Sequence, residues 1–114
     1  MNGRMLLIAI LVALLSGCIS GIPVTIDNRS AVQLTNVVVS GKGFSESVGS
    51  IAPGGKAQVR VRPRVQTAVK VAFEAAGRRY SGSTATDDIE NDNMYTVEAV
   101  VDPEFSISVS TPLR

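Results

Sequence analysis

A single thiol, Cys18, stands in a chain of 114 residues that has no histidine and no tryptophan. Without histidine there is no Ser-His-Asp triad, no Cys-His pair and no mixed His/Cys zinc set. One cysteine also excludes an intrachain disulfide. Lys42, Lys56 and Lys70 are available to a Ser-Lys dyad, yet no Ser-x-x-Lys occurs. Carboxylates are present in pairs, but three Phe and two Tyr offer little platform for a sugar. The chain therefore reads as a non-enzyme that needs no cofactor.

Two charged clusters remain. Arg60, Arg62 and Arg64 alternate with Val61 and Pro63. If the strand runs on through Pro63, three guanidiniums share one face at spacings of about 6.6–7 Å. Such a row suits the phosphates of lipid or lipopolysaccharide, or an acidic protein, because guanidinium binds oxyanions in bidentate fashion. Pro63 donates no ladder bond, so it marks an edge strand or a strand's end, where arginines also guard against edge pairing. Asp87, Asp88, Glu90 and Asp92 form the second cluster, together with Asn91 and Asn93. Oxygen-rich loops can hold Ca²⁺. This run lacks the EF-hand spacing and its glycine, so it reads as a solvated connection and no metal is assigned. Eleven Lys+Arg against ten Asp+Glu give no electrostatic case for nucleic acid.

The elements that must carry these residues follow a period of two. Val24 and Ile26 share a face, as do Val37 and Val39, with Leu34 out of phase and so pointing to a bulge or a bend. Ala57, Val59 and Val61 alternate with polar residues. So do Val69, Val71 and Phe73 with Lys70, Ala72 and Glu74. Tyr95, Val97, Ala99 and Val101 form another set, and Phe105, Ile107 and Val109 alternate with serines. Turn residues separate the runs: Asp27-Asn28-Arg29-Ser30, Gly41-Lys42-Gly43, Pro53-Gly54-Gly55, Ala76-Gly77-Arg78 and Asp102-Pro103. Seven or eight short strands with such spacing predict an all-β fold, a small antiparallel β-sandwich spanning residues 23–114.

Ile89 precedes Tyr95 by six residues and Val97 follows it by two. This resembles the tyrosine corner of immunoglobulin-like and fibronectin type III domains, without the usual Pro-x-Thr. The resemblance implies an immunoglobulin-like sandwich, with residues 94–101 as strand F and 105–110 as strand G.

The N-terminus carries the most specific signal. Arg4 precedes an unbroken apolar run over residues 5–15. As a helix this reaches only about 16 Å, short of the roughly 30 Å hydrocarbon core. A charged start, a short apolar stretch and small residues describe a secretory signal peptide over residues 1–17. Leu15-Ser16-Gly17-Cys18 resembles the lipobox of bacterial lipoproteins at all four positions. The resemblance implies diacylglyceryl transfer to Cys18, cleavage before it and a membrane anchor. Ile19 in place of Asp implies, by likeness to enteric lipoproteins, the outer membrane, with the domain facing the periplasm. Residues 18–22 then form a short tether that holds the sandwich close to the bilayer.

These readings lead to a non-enzymatic, lipid-anchored envelope protein that serves as a binding or assembly accessory. One alternative is a small inhibitor or immunity-type lipoprotein acting through the loops at Gly41-Lys42-Gly43 or Ala76-Gly77-Arg78-Arg79. Another is a structural lipoprotein that binds envelope polymer.

Overall fold

A computed structural model describes residues 21–90 and 95–112. Leu15, Ser16, Gly17 and Cys18 lie outside the described residues, as does Asp92. Among the described residues eight strands follow one another: β1 (Ile22–Asn28), β2 (Leu34–Gly41), β3 (Phe44–Ile51), β4 (Lys56–Val61), β5 (Lys70–Ala75), β6 (Arg78–Ser83), β7 (Val97–Val101) and β8 (Ile107–Ser110). They make two four-stranded sheets, ordered β4-β1-β7-β8 and β3-β2-β5-β6. The small β-sandwich expected from the alternating pattern is the observed architecture.

Each alternating set becomes one inward face. Ile22, Val24 and Ile26 of β1, with Val97 and Val101 of the neighbouring β7, face Val37 and Val39 of β2 and Val71 and Phe73 of β5 in one core, all fully buried. The out-of-phase Leu34 is also fully buried. It reaches the core because the ladder of β2 shifts register between Leu34 and Val37, around Asn36 with its φ of 49°. On one flank Phe73 and Tyr80 stack across the β5–β6 ladder with centroids 5.4 Å apart. Phe105 continues the aromatic row at 5.1 Å from Tyr80 and covers the seam between the sheets.

Three details correct the sequence reading. Five of the six strand pairings are antiparallel, but β1 and β7 run parallel. The cause is topological: β6 finishes at the end where β1 starts, so the chain returns to the first sheet from that end and must climb in the direction of β1. The strand order also departs from the immunoglobulin arrangement. That arrangement places its first, second, fourth and fifth strands in one sheet; here β1 and β2 occupy different sheets. Finally, the sandwich begins at Ile22 and not at residue 23. Ile22 is fully buried and pairs with Val61.

The crossing from β1 to β2 is fastened by Asn28, which is fully buried. Its Nδ2 donates to the carbonyls of Val32 (2.9 Å), Ile51 (3.1 Å) and Ala52 (3.1 Å). Its Oδ1 accepts from the backbone N–H and the hydroxyl of Ser30, at 3.0 and 2.7 Å. Its own N–H reaches the Gly55 carbonyl and its carbonyl receives the Gly54 N–H. One side chain thus joins the end of β1 to the β3–β4 turn. Among the described residues no buried side-chain polar atom lacks a hydrogen-bond partner.

Candidate functional site

Strand direction sorts the connections into two ends. β1 and β7 climb from a near end, where the chain comes in at Gly21, to a far end. The near end gathers the β2–β3 turn at Lys42 and Gly43, residues 62–69, the segment after Ser83 and Pro112. The far end gathers the Asn28 crossing, the Gly54-Gly55 turn, the Ala76-Gly77 turn and the turn after Asp102.

The arginines lie at the near end but not in one strand row. β4 stops at Val61, and Pro63 beyond it is buried. Without a ladder through residue 63, the regular side-chain spacing ends as well. β4 is an edge strand, as Pro63 suggested. Arg60 is half-buried and its Nη1 donates to the Gly21 carbonyl at 3.3 Å. On the other side Gly21 lies against Val61 and Arg62. A Cβ at Gly21 would stand 2.8 Å from the Val61 carbonyl oxygen and 3.1 Å from Arg62 Cγ. Its φ of +102° is also one that side chains disfavour. The incoming chain therefore passes between Arg60 and Arg62 at a point where only glycine fits.

Arg62 and Arg64 are exposed and line an open groove with Phe44, Glu46 and Pro63. Lys42 is exposed on the neighbouring turn. That turn is pinned to the arginine loop, because the Lys42 N–H donates to Thr67 Oγ1 at 2.8 Å. Thr67 Oγ1 in turn donates to the Ala68 carbonyl at 2.7 Å. Gly41 leaves room for this junction: a Cβ there would stand 2.5 Å from the Phe44 ring and 2.7 Å from the Ala68 carbonyl oxygen. Between the cations Val65 is 55% exposed. No strand phase in the sequence marks Val65, so the sequence reading missed it.

The acidic cluster shares this end. Ile89 is buried and forms a two-way backbone bridge with Thr67, at 3.2 and 3.0 Å. The bridge draws Glu90 to Gln66, whose Nε2 donates to Glu90 Oε1 at 2.6 Å. Asp87 and Asp88 are exposed beside it. Among the described residues no three His, Cys, Asp or Glu side chains are placed to hold a metal ion. Tyr95, the other half of the expected corner, is half-buried two residues before β7. Strands β7 and β8 are shorter than residues 94–101 and 105–110. Phe105 falls in the turn between them, with φ 65°.

At the far end the β5–β6 turn carries Arg78 and Arg79, both exposed, beside a shallow groove lined by Gln33, Thr35 and Glu74. Arg79 Nη1 stands 3.6 Å from Glu74 Oε1. The two loops singled out in the sequence, at Gly41-Lys42-Gly43 and at Ala76-Gly77-Arg78-Arg79, are thus at opposite ends and cannot form one binding surface.

No protein-family model matches the chain, and a search of curated proteins finds no match by sequence. Among solved structures the chain is similar to an NMR structure of a protein from Eubacterium rectale. The likeness has a TM-score of 0.57 at 14% identity and covers 82% of this chain and 89% of the other. At that identity it supports the fold alone.

Proposed function

We propose that the protein is a non-enzymatic lipoprotein of the bacterial envelope, anchored through Cys18 and presenting its sandwich as a binding or assembly accessory. The supporting observation is the short interval between the lipobox-like tetrapeptide and the folded body. Cys18 stands three residues before Gly21, which Arg60 and Arg62 flank. Three residues span at most about 11 Å. Two or three acyl chains on the cysteine, at about 0.8 kcal/mol per buried CH₂, exceed what stable anchoring needs. Ile19 after the cysteine favours the outer membrane, with the domain on the periplasmic side. The test is Cys18→Ser followed by fractionation. The variant should leave carbonate-washed membranes for the soluble fraction, and unchanged membrane retention would overturn the proposal.

A second reading, an inhibitor of an envelope-acting enzyme, draws support from the far-end turn. Arg78 and Arg79 are exposed there, away from the incoming chain. Under this reading, Arg78→Ala with Arg79→Ala abolishes protection of cells against an added hydrolase and leaves the anchor intact. Full protection by that variant would discard it.

A further inference from the structure

We infer that the near end is seated on anionic phospholipid headgroups through Lys42, Arg62, Arg64 and Val65, so that the domain stands in one orientation on its membrane. The inference rests on the anchoring proposed above and adds to it a contact surface. The chain outside the structure fixes the location. Cys18 lies within about 11 Å of Gly21, whose carbonyl accepts from Arg60 and where an added Cβ would meet the stem of Arg62. Acyl chains attached there bring Arg62 into the headgroup layer, whatever the tilt of the domain.

The composition of the surface then fits that layer. Arg62 and Arg64 are exposed on one loop, Lys42 is exposed on the turn bonded to it, and Val65, next after Arg64, is an exposed aliphatic side chain. Guanidinium and ammonium groups meet phosphate oxygens, and Val65 enters the boundary between headgroups and acyl chains. The loop is held rigidly enough to present them, by the Lys42–Thr67 bond and the Thr67–Ile89 bridge. Acidic groups face the same end. Glu46 lines the arginine groove, Glu90 is bonded to Gln66, and Asp87 and Asp88 are exposed on the opposing loop. They repel the same headgroups. Glu90 stays within this surface, because it is bonded to Gln66 and lines one groove with Arg64 and Val65; the seating therefore depends on Lys42, Arg62 and Arg64 together outweighing Glu46 and Glu90.

The lipid-modified protein, reconstituted into vesicles of phosphatidylglycerol or of phosphatidylcholine, tests this directly. With Cys18 blocked by its lipid, Val65→Cys or Ala31→Cys supplies one reactive thiol, at the near or the far end. On phosphatidylglycerol the thiol at position 65 should react with a bulky maleimide about tenfold more slowly than on phosphatidylcholine, while the thiol at position 31 reacts equally on both. Replacing Lys42, Arg62 and Arg64 by Gln should restore labelling at position 65, with each lost cation shifting the seated fraction roughly fivefold. Both positions reacting alike on phosphatidylglycerol, with the protein still floating on the vesicles, would overturn the seating and leave the anchor standing. A protein that does not float and labels at Cys18 would overturn both.

Discussion

The two ends of this sandwich join their sheets by different means. The far end uses one buried amide: Asn28 spends every donor and acceptor on carbonyls, an N–H and a hydroxyl drawn from the β1–β2 crossing, the end of β3 and the β3–β4 turn. Among the described residues the near end has no such centre. It relies on two buried threonines, each joining two segments by a single hydroxyl: Thr67 to Lys42 and Ala68, and Thr84 to Val69 and Thr86. Its charged side chains point outward. The far end therefore concentrates stability in one residue, and the near end leaves its surface open to substitution.

Substitutions can sharpen or break that contrast. Asn28→Ala should have the largest effect. It removes the buried bond to the Ile51 carbonyl and the acceptor of the Ser30 N–H, and with them the side-chain link from β1 to the β3–β4 turn, so unfolding free energy should fall by about 2–4 kcal/mol in a urea titration. Asn28→Asp should be nearly as harmful, because a carboxylate cannot donate to the three carbonyls. A loss below about 1 kcal/mol in either variant would show that the far end has no such centre. Thr67→Val keeps the shape and removes one acceptor and one donor. It should cost about 1–2 kcal/mol, less than Asn28→Ala in the same titration. The smallest effect should come from Ala76, at φ 50° beside Gly77 at 78°, a turn with both central residues left-handed. Ala76→Gly should raise stability by about 0.5 kcal/mol, since relief of the left-handed penalty exceeds the added chain entropy. A loss on that substitution would mean that the turn does not hold this geometry in solution.

Much of the sandwich was legible because its central strands alternate. The hydrophobic residues of β1, β2, β5 and β7 mark their inward faces, and even the bulge near Leu34 shows as a phase slip. β3 and β6 were harder to see. They lie at the edges of their sheet, and Ser45, Glu46 and Ser47, like Arg78, Arg79 and Ser81, give an edge no need for a regular apolar face. Asn28 was legible only as a turn residue, because Asp27-Asn28-Arg29-Ser30 reads alike whether the amide is in solvent or buried beneath two turns. The arginine row failed for a related reason. Alternation past Val61 continues in the letters, but the ladder that would give it geometry stops there. The proximity of Gly21 to Arg60 and Arg62 has no local signature, since it joins residues about forty positions apart.

The parallel pair of β1 and β7 has a consequence for how the molecule is made. β1, the first of the described strands, is an interior strand, flanked by residues 56–61 on one side and 97–101 on the other. Its second neighbour is the seventh of the eight described strands, so the first sheet cannot close until residues 97–101 have been made. Until then one edge of β1 has no ladder partner, and this long-range pairing makes closure of the sheet slow relative to proteins built from local hairpins.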